Sequence, residues 1–134
     1  MSRFAAPIAE QIWDMKYRLK QADGMPLDQS VEDTWRRIAR ALASVEHDTA
    51  EWEDRFYTAL EDFKYLPAGR IVAGAGTARS VTLFNCFVMG TVPDSMGGIF
   101  DNLREAALTM QQGGGIGYDF STIRPKGAEV LGVA

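Results

Sequence analysis

Val81-Thr82-Leu83-Phe84-Asn85-Cys86-Phe87-Val88-Met89 is a short apolar run rich in β-branched and aromatic residues, the composition of a buried strand. Val92-Pro93-Asp94-Ser95 stops it, and Asp94 or Ser95 can cap a helix whose apolar face is Ile99, Leu103, Ala106, Ala107 and Met110. The glycines of Gln111-Gln112-Gly113-Gly114-Gly115-Ile116-Gly117-Tyr118-Asp119 end that helix, and residues 116–120 predict a second strand. Strand, helix, strand is a βαβ-sized unit, which predicts parallel strands and a right-handed crossover. One such unit cannot close a sheet, so the chain is expected to be a fragment or one piece of a larger assembly.

Upstream, the pattern is helical. From Pro7 to Lys20, Ile8, Ile12, Met15 and Leu19 recur at three-to-four spacing, and Asp23-Gly24-Met25-Pro26 breaks the pattern. A second helix is expected from the Ser30 cap, with Asp33 in its first turn and Val31, Trp35, Ile38, Ala39 and Leu42 on one stripe. Asp48 and Glu51 open a third, with Trp52, Phe56, Ala59, Leu60 and Phe63 facing inward as core. Leu66-Pro67-Ala68-Gly69-Arg70 and Gly74-Ala75-Gly76-Thr77 mark an irregular connection. The expected organisation is a helical region over 1–66 and an α/β region over 67–134.

Composition narrows the function. At 134 residues, 46% hydrophobic and 24% charged, the chain has the make-up of one globular domain. A net charge of −4 supplies no overall basic field, so neither nucleic acid nor an anionic membrane is an expected partner. No apolar stretch reaches membrane-spanning length, the start does not read as a signal peptide, and a single cysteine excludes an internal disulfide framework. The expected location is the cytoplasm.

The glycine run fails both phosphate-binding patterns: Tyr118 stands where a dinucleotide fingerprint needs its third glycine, and no Gly-Lys-Ser/Thr occurs. It offers a helix end followed by backbone that a ligand or another strand can approach closely. Cys86 reads either as a small core residue or as a thiol that needs an activating neighbour or a partner. Arg124 and Lys126 beside a turn can hold phosphate or simply be solvated. His47, alone between two helices, reads as a helix-end residue, and no metal site is apparent.

Taken together, Leu66-Pro67-Ala68-Gly69-Arg70-Ile71, Asn85-Cys86, Val92-Pro93-Asp94-Ser95-Met96 and the block from Glu105 through Gln112-Gly113-Gly114-Gly115-Ile116-Gly117-Tyr118-Asp119-Phe120-Ser121 to Arg124-Pro125-Lys126-Gly127 resemble the ribonucleotide reductase large subunit, in its adenosylcobalamin-dependent class. The resemblance implies a ten-stranded α/β barrel, of which this chain holds the N-terminal helical region and the first strands. It implies replacement of the ribose 2′-hydroxyl by hydrogen through radical chemistry, with Cys86 as one member of the redox-active cysteine pair and the other member beyond this chain. Ala68, Asn85, Gly114 and Gly115 then match substrate-lining positions. Asp94 and Arg124 match the allosteric deoxynucleotide site, and the helix from Ser95 to Gln112 resembles one packed across a dimer interface. Implied partners are the C-terminal remainder of the reductase, a ribonucleotide, a deoxynucleotide effector, a thioredoxin-type reductant and a second copy. The implied cofactor is adenosylcobalamin, held mostly outside this chain. Two other readings stand beside this one: a stand-alone deoxynucleotide-binding module, and a non-catalytic structural fragment.

Overall fold

The computed structural model describes residues 3–130, and the chain divides after Leu83 into two compact units. The first contains helices α1 (Pro7–Lys16), α2 (Val31–Ala43), α3 (Thr49–Leu60) and α4 (Gly69–Gly74), with a 3-10 turn at Glu61–Phe63. The second contains strand β1 (Cys86–Val88), helix α5 (Met96–Gln111) and strand β2 (Gly115–Gly117).

Helix α2 is the spine of the first unit. It starts where expected: Asp33 Oδ2 accepts from the amides of Ser30 (3.1 Å) and Gln29 (2.8 Å), satisfying donors that a helix start leaves unpaired. Its stripe of Val31, Trp35, Ile38 and Ala39 is buried and forms the core with Trp13, Leu60 and Ala75. Helix α3 packs along it, opened by Asp48, whose Oδ1 accepts from the Glu51 amide at 3.1 Å. Phe63 meets Trp35 edge-on at 5.1 Å between ring centroids.

Helix α1 departs from the sequence pattern in its length and in its buried face. It ends at Lys16 instead of Lys20, because residues 19–21 are drawn into pairing with 25–28. The Leu27 amide donates to Leu19 O (2.8 Å), Lys20 and Pro26 form an antiparallel bridge, and Gly24 at φ +88° makes the turn between them. The buried residue of α1 is Trp13, while Ile8 and Met15 of the expected stripe are exposed. Trp13 wins the inward position because it offers the larger apolar area and its Nε1–H donates to Thr34 Oγ1 at 3.1 Å.

Beneath these contacts lies a buried ion pair. Asp28 is 4% exposed, and its Oδ2 accepts from Arg37 Nη2 (3.0 Å), Arg37 Nε (3.2 Å), Thr34 Oγ1 (2.8 Å) and the Leu19 amide (3.2 Å). Arg37 also donates to the carbonyls of Val72 (3.1 Å) and Ala75. The irregular connection expected around residues 67–77 therefore contains a short helix, α4, anchored on α2. Ile71, Val72 and Leu83 pack against the helical core, so the expected boundary between residues 66 and 67 falls inside the first unit.

In the second unit β1 and β2 pair in parallel across α5, with Cys86 opposite Gly115, Phe87 opposite Ile116 and Val88 opposite Gly117. The parallel βαβ expectation holds, but each strand is three residues long, shorter than residues 81–89 and 116–120. The expected burial of the first strand does not hold either: Val88 is 98% exposed. Two strands and one helix have too little surface to cover both strand faces. The same shortage leaves Ile99, Leu103 and Met110 of α5 exposed, with Ala106 its buried residue.

Asp28→Asn keeps the shape of the side chain but leaves the Arg37 guanidinium buried without its counter-charge. Breaking such a pair is expected to destabilise the helical unit by about 3 kcal/mol or more. Urea unfolding followed by tryptophan fluorescence measures this, and a loss below about 1 kcal/mol would contradict it.

Candidate functional site

The glycine block is built from the end of α5 outward. The Gly113 amide donates to Met110 O (2.9 Å) and the Gly114 amide to Thr109 O (3.1 Å), the paired bonds of a Schellman ending. Gly113 takes the left-handed conformation this ending requires, at φ +88°. Gly114 is needed for a different reason: a Cβ there would stand 2.7 Å from Phe87 Cε2. At Gly115 the close neighbours are Asn85 O and Cys86 Sγ, each 3.4 Å from an added Cβ. In the direction a side chain would take at Gly114, a residue of the neighbouring strand, Phe87, fills the space.

Cys86, Asn85, Gly114 and Gly115 are thus brought together. The Gly115 amide donates to Asn85 O at 2.8 Å, and Cys86 is the ladder partner of Gly115. Cys86 is a free, exposed thiol, so its reading as a small core residue is not what this chain shows. Asp119, further along the block, accepts from the Ser121 amide at 2.9 Å, and that backbone hydrogen bond holds its carboxyl below the usual carboxylate range.

Asp94 and Arg124 also meet. Arg124 Nε donates to Asp94 Oδ2 at 2.8 Å, Nη2 to Asp94 O at 3.1 Å and Nη1 to Glu129 O at 3.3 Å. Thr122 Oγ1 donates to the buried Val92 carbonyl at 2.6 Å, tying the chain after β2 to the loop that starts α5. That loop leads into α5 as expected: Ser95 Oγ accepts from the Gly98 amide at 3.1 Å. Asp94, Arg124, Ala128, Glu129 and Val130 line a shallow cleft, and Lys126 is exposed nearby in sequence.

Ala68 belongs to the first unit, where it is the N-cap of α4 and its carbonyl accepts from the Ile71 amide at 2.9 Å. His47 is exposed in the connection between α2 and α3. Among the described residues no group of three or more His, Cys, Asp or Glu side chains is placed to hold a metal ion. Sequence reasoning missed the Asp28, Thr34 and Arg37 network. Its one trace is an arginine and a threonine bordering the apolar stripe of α2, which also fits side chains that lie along the surface with their polar ends in water.

Comparison with known proteins follows the same two-part division. Residues 3–80 match the family model described as ribonucleotide reductase, all-alpha domain, and residues 84–134 match ribonucleotide reductase, barrel domain. Ribonucleoside-diphosphate reductase subunit alpha of Helicobacter pylori is 35% identical over 87% of the chain. The vitamin B12-dependent ribonucleoside-diphosphate reductases of Mycobacterium tuberculosis and Thermoplasma acidophilum are 34% and 27% identical over 86% and 90% of it. The chain spans 14%, 17% and 15% of the length of these three relatives, respectively.

Exposure of the thiol is directly measurable. Iodoacetamide should alkylate Cys86 in the folded chain within about threefold of the rate in denaturant, and protection beyond about tenfold would contradict the exposed placement. Gly114→Ala forces Phe87 aside and is expected to destabilise the second unit by about 1–3 kcal/mol. Gly115→Ala meets only ordinary contacts and should be the milder of the two when urea unfolding of the second unit is followed by hydrogen exchange at the β1 and β2 amides.

Proposed function

Because the chain belongs to the ribonucleotide reductase family, we propose that it is the N-terminal portion of the large subunit of an adenosylcobalamin-dependent enzyme converting ribonucleotides to deoxyribonucleotides. The cobalamin class rests on two of the relatives being named vitamin B12-dependent. In this reading β1 and β2 are the first strands of a ten-stranded α/β barrel, and the rest of the barrel is a separate part of the enzyme.

The observation that carries the reading is the exposed Cys86 thiol on a strand held against Gly115. In the overall reaction the ribose loses its 2′-hydroxyl as water and gains a hydrogen. Two thiols supply the two electrons and two protons and become a disulfide. Cys86 is one of the two; the other comes from the remainder of the protein, and an external dithiol restores both by exchange. Asn85, Gly114 and Gly115 are proposed to contact the substrate beside it, and Ala68, a residue of the first unit, is a further proposed substrate contact. Adenosylcobalamin would supply the radical that starts the reaction and would be held mostly by the remainder of the protein.

Asp94 and Arg124 are proposed to take part in binding a deoxynucleotide effector. Arg124 is engaged by Asp94, so an effector phosphate would compete with that carboxylate for the guanidinium. Helix α5 carries exposed apolar residues that suit packing against a second copy.

Mixing the chain with the remaining portion of such a reductase, adenosylcobalamin, a ribonucleotide and a dithiol should yield deoxyribonucleotide. Cys86→Ser should lower that turnover by about a hundredfold or more while leaving ribonucleotide binding within about twofold. Turnover that survives the substitution removes Cys86 from the redox pair.

A further inference from the structure

Helix α4 is six residues long, too short to persist without outside support, and its N-cap, Ala68, has no side chain that can cap it. Two contacts supply the support. At its C-terminal end Arg37 donates to Val72 O and Ala75 O, carbonyls that the helix leaves unpaired, and places a positive charge at the negative end of the helix. At its N-terminal end Gly69 lies against Tyr17, where an added Cβ would stand 3.3 Å from the phenol oxygen. Tyr17 is itself tied to Arg37, whose Nη2 donates to Tyr17 O at 3.4 Å.

The guanidinium has little freedom to be elsewhere. Asp28 holds it on one side, with both groups buried, and Thr34 and the Leu19 amide fix Asp28 in turn. Beyond α4, Gly76 sits at φ +70° so close to α2 that a Cβ would stand 2.7 Å from Arg37 Cγ and 2.9 Å from Arg37 O. Only glycine fits this approach, and it seats the exit of α4 on the same arginine.

We propose that Arg37 is a positioning residue: held by Asp28, it clamps α4 onto α2 and so fixes where the Ala68–Gly69 backbone stands. The consequence for substrate rests on the reading of Ala68 as a substrate-lining position. Arg37 does not touch substrate. It acts through α4: its guanidinium serves the Asp28 carboxylate and the carbonyls of Tyr17, Val72 and Ala75, four acceptors where a lysine ammonium has three N–H donors.

Arg37→Lys keeps the charge opposite Asp28 and loses the fork. In the 134-residue chain, hydrogen exchange at the Val72 and Ala75 amides should accelerate by about tenfold or more relative to the Ile38 and Ala39 amides of α2. Gly76→Ala drives a Cβ against Arg37 Cγ and Arg37 O, forces the segment off the arginine and should give the same local acceleration, which keeps the inference testable if the lysine variant does not fold. Exchange at Val72 and Ala75 unchanged relative to α2 in the folded variants overturns the clamp. In the full-length reductase, either variant should raise KM for the ribonucleotide about tenfold with kcat within about threefold. Accelerated exchange with an unchanged KM overturns the link to substrate. An unmodified enzyme that reduces no ribonucleotide overturns the functional reading instead, and the exchange result then stands by itself.

Discussion

A carboxylate taken out of water must be surrounded by donors, and in the helical unit that requirement falls on Asp28. Its donors come from separate parts of the chain: the Leu19 amide after α1, the Thr34 hydroxyl on α2 and the Arg37 guanidinium one turn further on. Trp13 joins through Thr34, so α1 is fixed to α2 by a polar chain as well as by apolar contact. Apolar packing alone tolerates sliding by a fraction of a turn. A hydrogen-bonded buried charge does not, because each lost bond leaves a group unsatisfied in a low-dielectric setting. The early end of α1, the turn at Gly24 and the docking of α4 all keep this one site satisfied.

The second unit obeys a steric rule. Three successive glycines look redundant, yet two of them meet different demands: a left-handed helix ending at Gly113 and contact with the Phe87 ring at Gly114; at Gly115 an added Cβ would meet Asn85 O and Cys86 Sγ at ordinary contact distance. The block is dense in glycine because helix end and strand start are compressed into consecutive residues, so no stretch of chain is left to absorb a side chain. This places the ladder partner of Cys86 directly after the helix ending, and the thiol is positioned by backbone alone.

What could be read from sequence follows from which forces act locally. The caps of α2 and α3 and the stripe of α2 were legible because a cap is a local hydrogen bond and a stripe is a local periodicity. The strand-helix-strand order was legible for the same reason. The end of α1 at Lys16 was not, since it depends on pairing with residues 25–28, and neither was α4, whose support comes from Arg37 more than thirty residues earlier. The burial of β1 was misread because apolar composition reports what a strand needs covered, and the cover is not supplied within this unit. For the candidate site, the meeting of Cys86 with Gly115 follows from strand register, whereas the Asp94–Arg124 pair joins side chains thirty residues apart and has no local signal of being a pair.

In the proposed reaction, electron counting requires Cys86 to have a partner thiol. Reducing a carbon–oxygen bond consumes two electrons, and a thiol pair delivers two only by ending as a disulfide; a single thiol has no such stable end state. In the proposed reaction Cys86 on β1 would therefore meet a second sulfur brought by another element. Disulfide geometry requires the two Cα atoms to come within about 7 Å, so the partner must reach the strand face itself. The neighbouring ladder position cannot supply it, because Gly115 occupies it and carries no side chain. In the proposed reaction the second cysteine must therefore arrive from outside the β1–β2 pair, and Gly115 serves by leaving the sulfur uncovered on the side that faces its strand partner.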